Sequence, residues 1–165
     1  MRSILASLLL VAGPLLANPA HATAQIPEEI VLDGRVEQLL TEPLNVILRE
    51  DKNLDRLRPY VSEDVCSGAW RGYRGTWAID DGKLFLTALV TDPCSDKPRS
   101  VPLDVLFPLT VTRIPATWYS GSLVVPRGRM IEYVHMGYKS RYERYLLITI
   151  MKGVVTGQRE VSDLP

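Results

Sequence analysis

Apolar and polar positions alternate most regularly between Tyr73 and Val90, on either side of Asp81-Gly82. Side chains of a strand point to opposite faces with a period of two, so this alternation predicts a β-hairpin. With Asp81 and Gly82 as the central turn residues, Asp80 faces Lys83. The pairs on one face are then Ile79 with Leu84, Trp77 with Leu86, Gly75 with Ala88 and Tyr73 with Val90, all apolar or small. The opposite face sets Arg74, Thr76 and Ala78 against Leu89, Thr87 and Phe85, a mixed surface. A slip of one residue would exchange the two faces of one strand, so the pattern predicts the register as well.

The same reading extends along the chain. Gln25 to Pro27 reads as a loose leader. Ile30 to Leu32 and Val36 to Leu40 flank Asp33-Gly34, a pair suited to the positive φ of a tight hairpin turn. Between Pro43 and Leu57 the apolar positions lie among charges at helical spacing, which predicts one short helix, ended by Pro59. A second hairpin is expected to join Trp118 to Val125 with Met130 to Met136 through Pro126-Arg127-Gly128. Tyr142 to Met151 is apolar on both faces and predicts a central strand, followed by a turn at Lys152-Gly153 and a short strand at Val154-Val155. Val101 to Ile114 is an apolar run with Pro102 and Pro108 inside it and Pro115 directly after it, as an edge strand or extended loop would have. The expected fold class is mostly β: an antiparallel sheet, sandwich or small barrel with one short helix near residues 43–57.

The start of the chain follows a different pattern. Arg2 is the only charge before Glu28, and Ile4 to Leu16 is apolar, ending near Ala22-Thr23-Ala24. This is the layout of a secretory signal peptide, with cleavage expected before Gln25. The apolar run is broken by Gly13-Pro14 and is shorter than the roughly 20 residues needed to span a bilayer. Removing 24 of 165 residues leaves 141, the size of one β-rich domain over residues 25–165. No stable membrane insertion is expected.

Acidic and basic residues number 19 each, so no broad field exists to steer nucleic acid, and no nucleic-acid partner is expected. Cys66 and Cys94 are the only cysteines. In an oxidising compartment such a pair predicts a disulfide, worth about 3.5 kcal/mol in the chain-entropy model. Together these features place the chain as periplasmic or secreted.

The densest polar and aromatic stretch runs from Glu132 through Tyr145 around Gly137. A turn there can present tyrosine and arginine together, the composition of binding hot spots. Cross-strand aromatic pairs and a charged surface ladder are the structural alternative. Candidate binding residues are Tyr119, His135, Tyr138, Lys139, Arg141 and Tyr142. His135 is the only histidine left once the leader is removed, which disfavours a multi-histidine metal site. Catalysis by His135 would need Ser120, Ser140, Glu132 or Glu143 as partners, and no local catalytic signature accompanies them. No catalytic residue, metal or cofactor is assigned.

Trp70-Arg71-Gly72-Tyr73, Trp77-Ala78-Ile79 with Gly82-Lys83-Leu84, Trp118-Tyr119-Ser120-Gly121 and Tyr133-Val134-His135-Met136-Gly137-Tyr138 resemble a family of uncharacterised exported bacterial proteins. The resemblance implies a bacterial domain and no particular activity.

The leading expectation is a non-catalytic binding module that recognises a protein partner, as an envelope component, inhibitor or toxin-neutralising protein would. One alternative is a small-ligand-binding β-barrel with Trp70 and Trp77 lining its cavity. Another is a hydrolase built on His135.

Overall fold

The computed structural model describes residues 23–49, 53–61, 66–108 and 112–164. The expected signal peptide therefore lies almost wholly outside the described residues. The chain is mostly β, as its alternation predicts. Strands β1 (Glu28–Leu32), β2 (Arg35–Leu39), β3 (Tyr73–Asp80), β4 (Lys83–Thr91), β7 (Gly121–Glu132), β8 (Arg141–Met151) and β9 (Val154–Val161) follow the order β2-β1-β3-β4-β9-β8-β7. Two short strands, β5 (Arg99–Ser100) and β6 (Ile114–Pro115), pair with β4. The sheet is antiparallel except where β1 lies parallel to β3.

The two ends of this path lie side by side. Leu40 N donates to Val124 O at 2.8 Å and Val124 N to Thr41 Oγ1 at 3.0 Å, while Glu37 on β2 pairs with Arg127 on β7. The sheet is thus curled, and its concave side holds one apolar core. Trp77, Ile30, Leu39, Leu84, Leu86 and Leu123 are all fully buried there.

The β3–β4 hairpin turns at Asp81-Gly82 with φ of 47° and 66°. Its register follows the sequence pattern from Asp80↔Lys83 to Trp77↔Leu86 and then shifts: Gly75 faces Leu89 and Tyr73 faces Thr91. The expected pairs Gly75 with Ala88 and Tyr73 with Val90 do not form. Leu86 and Leu89 are both buried and Ala88 is exposed. Residues three apart cannot share a face of a regular strand, so one extra residue on β4 reverses the phase and brings both leucines inside. Thr87 marks the spot, its hydroxyl donating to Thr76 O at 3.0 Å.

The second predicted hairpin is not present. Pro126-Arg127-Gly128 lies within β7, where the ladder shifts between Arg127 and Met130 and Gly128 has a φ of 75°. β7 pairs instead with β8, matching Leu123 to Ile148 and Val125 to Leu146. These apolar pairs outcompete the polar segment around Glu132 to His135, and residues 133–140 form the actual connection. β8 is flanked by β7 and β9 as expected of a central strand, and β9 is longer than the predicted Val154-Val155.

The predicted helix is two short turns, α1 (Asn45–Leu48) and α2 (Asn53–Leu57), with a 3-10 turn at Arg58–Tyr60. Leu44, Leu48 and Leu57 enter the core. Cys66 and Cys94 form a disulfide with a Cα–Cα distance of 6.4 Å. It joins the chain entering β3 to the chain leaving β4. Among the described residues no helix is long and apolar enough to cross a membrane.

Candidate functional site

The parallel pairing of β1 with β3 sets Glu29 opposite Thr76 and Ile30 opposite Trp77. That register carries Glu28, a fully buried carboxylate, over Gly75. Trp77 Nε1 donates to Glu28 Oε2. A Cβ on Gly75 would stand 2.7 Å from Glu28 Oε2 and 3.0 Å from Trp77 Nε1, so glycine leaves the room that this contact occupies.

Arg71 is the counter-ion, its Nε 3.5 Å from Glu28 Oε1. Its Nη1 donates to Glu42 Oε1 at 3.1 Å and to the Tyr138 hydroxyl at 2.9 Å, and its Nη2 donates to Ile26 O at 2.8 Å. The Tyr138 hydroxyl donates in turn to Glu42 Oε1 at 2.8 Å. Beside them, Tyr73 donates to Asn45 Oδ1 at 2.7 Å, and Asn45 Nδ2 donates to Glu42.

Two carboxylates thus share one guanidinium, with Glu28 and Arg71 buried and Glu42 partly exposed. Burial pushes the Glu28 carboxyl up to about 7, against the opposing pull of Arg71 and the Trp77 hydrogen bond. Burial also raises the Tyr73 and Tyr138 phenols above their usual value, so both stay protonated and act as donors. Glu28 Oε1 and Arg71 Nε make contact as charges without an aligned hydrogen bond.

Tyr138 connects this network to the surface. On its outer side lies a cleft of about 130 Å³ lined by Tyr133, Tyr138, Tyr142, Met130, Leu40, Gln38 and Gln25 among others. The Tyr142 hydroxyl donates to Gln38 Oε1 at 3.3 Å across the β8–β2 junction. Gln25 to Pro27, expected to be loose, is docked as one wall. Gln25 N donates to Gly137 O at 3.0 Å, and Ile26 N to Gly68 O at 2.7 Å. Arg71 fixes this segment through its hydrogen bond to the Ile26 carbonyl.

The sequence-derived residues fall into three groups. Tyr138 and Tyr142 line the cleft, and burial raises the Tyr142 phenol as well. Lys139, Arg141 and His135 lie around it. Arg141 pairs with Glu132 at 3.3 Å and Asp163 at 3.5 Å, and the His135 ring meets Tyr133 edge-on at 4.5 Å. Tyr119 stands apart, before the far end of β7, where Gly121 faces Ile150. It does not line the cleft. Its hydroxyl donates to Ser122 O at 3.1 Å, and burial pushes its phenol up to about 12.

The side chains considered as partners for a catalytic His135 are engaged elsewhere. Ser140 Oγ accepts from Val134 N at 3.0 Å, Glu143 holds Arg129 at 2.8 Å, Glu132 holds Arg141, and Ser120 accepts from Lys152 N at 2.9 Å. The two indoles expected to line a ligand cavity occupy opposite environments. Trp77 is fully buried, edge-on to Trp118 at 6.5 Å, and Trp70 is 74% exposed. Among the described residues no group of three or more His, Cys, Asp or Glu side chains is gathered to hold a metal ion.

Glu28, Arg71, Glu42, Gln38, Met130 and Tyr133 escaped the sequence reading. The only signal for Glu28 was its place at the edge of an apolar strand, where an unpaired carboxylate is ordinarily exposed. Arg71 lay inside a motif that was read for its glycine and tryptophan. Comparison with known proteins finds no matching family model, no matching curated protein and no matching solved structure. The motif resemblance therefore assigns no family.

Proposed function

We propose that this chain is an exported, non-catalytic binding module that recognises a protein partner at the surface around the tyrosine cleft. The observation that carries this reading is the run of large apolar side chains left in solvent there. Met130, Ile131, Tyr133 and Met136 are 45%, 55%, 51% and 48% exposed within a short stretch of sequence. Clustered exposed apolar residues beside polar ones are the mark of an interaction surface, and tyrosine, methionine and arginine are the types enriched at such surfaces. Arg141 and Lys139 supply the polar rim. The charged and apolar start of the chain and the Cys66–Cys94 bridge support export. Crosslinking in envelope extracts tests the reading. The wild type should capture a specific partner that a Tyr133→Ala, Met136→Ala variant of unchanged melting temperature loses; equal capture by both would remove this surface from the reading.

A second reading, recognition of a small ligand, is supported by the cleft itself. Its volume is about 130 Å³. A drug-sized site takes roughly 300 Å³ or more, so this cleft suits only a compact group.

A further inference from the structure

We propose that Glu28, Arg71 and Glu42 form a pH-sensitive latch: the N-terminal segment stays docked while Glu28 keeps its proton and detaches locally once Glu28 and Glu42 are both ionised. Arg71 is the point of convergence. Its guanidinium contacts Glu28 at the start of β1, Glu42 between β2 and α1, the Tyr138 hydroxyl in the β7–β8 connection and the Ile26 carbonyl of the N-terminal segment. One cation therefore serves two carboxyls. With a proton on Glu28 the charges of the three groups cancel, and without it a buried negative charge is left over. The geometry marks Glu28 as the weaker partner. Glu42 Oε1 accepts from both Arg71 Nη1 and the Tyr138 hydroxyl, whereas Glu28 Oε1 and Arg71 Nε are buried with no aligned hydrogen-bond partner among the described residues. The other titratable side chains that act on Glu28 among the described residues are the phenols of Tyr73 and Tyr138, both raised by burial and so protonated throughout.

The N-terminal segment is the part that can yield. Glu28 is the first residue of β1 and pairs with Leu39, and the parallel ladder to β3 begins one residue later, at Glu29↔Thr76. Residues 25–28 can therefore lift away and expose the Glu28 carboxylate to water while the rest of β1 stays in both ladders. The bonds that hold them down include Gln25 N to Gly137 O, Gln25 Nε2 to Ser67 O, Ile26 N to Gly68 O and Arg71 Nη2 to Ile26 O. Pro27 adds no backbone donor. Opening such an end segment costs less than unfolding the sheet. Burial holds the docked Glu28 carboxyl at about 7 against 4.5 when freed. Docking thus takes up a proton, so it weakens as pH rises through that window and levels off above about pH 8. Arg71 retains Glu42 and Tyr138 in both states. In the exported chain Gln25 carries a terminal ammonium, which titrates at about pH 8; it is common to wild type and Glu28→Gln, so their comparison isolates Glu28.

Hydrogen exchange of the exported, disulfide-bonded protein, followed by NMR and corrected for the intrinsic pH dependence of exchange, tests the latch at two protons. The Ile26 amide reports on the segment, and the Trp77 indole, which donates to Glu28 Oε2, reports on the carboxyl. Protection of both should fall about tenfold between about pH 6 and about pH 8. Low urea should leave this exchange nearly unchanged, because a local opening exposes little surface. Glu28→Gln has no carboxyl to titrate and should lose the trend. Glu42→Gln leaves Arg71 to Glu28 alone, so Glu28 ionises without surplus charge and the fall over this window should shrink below about twofold. Glu42 is partly exposed, so this variant carries the comparison by itself if the buried substitution prevents folding. Constant protection in the wild type, a fall at only one of the two protons, an undiminished fall in either folded variant, or a urea dependence as steep as that of global unfolding overturns the proposal. The measurement involves no partner, so it stands or falls apart from the protein-partner reading.

Discussion

Replacing Glu28 by glutamine should change how the stability of the protein depends on pH. Folding takes the Glu28 carboxyl from 4.5 to about 7, chiefly because it is fully buried. Between those values the folded state holds more protons than the unfolded state, so this group makes stability fall as pH rises through that window. At about 1.4 kcal/mol per pH unit the loss reaches about 3 kcal/mol by about pH 8, and almost none of it has occurred well below the unfolded value. The amide of Glu28→Gln stays neutral and still offers an oxygen to Trp77. Its stability relative to wild type should therefore improve by about 3 kcal/mol between about pH 4 and about pH 8. Any constant cost of placing an amide against Arg71 shifts both ends equally and drops out of this comparison. Urea unfolding of both proteins at half-unit pH steps provides the measurement, with equal m-values as the check that both unfold alike. A difference between the two proteins that does not vary with pH would show that Glu28 ionises as freely when folded as when unfolded, and the account of the network would be wrong.

Three further perturbations probe the same framework. Arg71→Gln leaves two carboxylates without their shared cation and should cost about 3–5 kcal/mol at about pH 8. The cost should shrink at lower pH as Glu28 takes up its proton, and urea melts at the two pH values would detect an absent trend. Gly75→Ala forces a methyl between Glu28 and Trp77 and should destabilise by about 1–3 kcal/mol, with a change in Trp77 fluorescence; an unperturbed spectrum and melt would contradict the close approach. Cys66 and Cys94 are 28 residues apart. Opening that loop with a double alanine variant should cost about 3.5 kcal/mol. A variant as stable as wild type would show that the bridge constrains little.

Sequence alternation exposed the strands wherever one face was uniformly apolar. The β1–β2 and β3–β4 turns were legible because Asp33-Gly34 and Asp81-Gly82 are suited to positive φ, and both adopt it. The reading failed where phase is broken by an extra residue. At Thr87 the clue was present, since Leu86 and Leu89 are three apart, but an isolated alanine between them did not distinguish a bulge from a face change. At Pro126-Arg127-Gly128 the local turn chemistry was genuine, yet the long-range match of Leu123 and Val125 to Ile148 and Leu146 prevailed. Tyr138 and Tyr142 were found because they sit in one aromatic run. Glu28, Glu42 and Arg71 were not, because they are far apart in sequence: the parallel pairing of β1 with β3 brings Glu28 to the Arg71 side, and Glu42 arrives from the segment between β2 and α1. Tyr119 was drawn in by composition and lies at the other end of β7.

The junction of β2 with β7 gives the cleft a particular vulnerability. Gln38 and Leu40 belong to one side of that junction, and Met130 and Tyr142 to the other, while Thr41 and Val124, 83 positions apart in sequence, hold it shut. A transient parting there, without loss of the ladders on either side, would open the cleft. Occupancy of the cleft should accordingly slow hydrogen exchange at the amides of Leu40 and Val124 more than at those within β3 and β4.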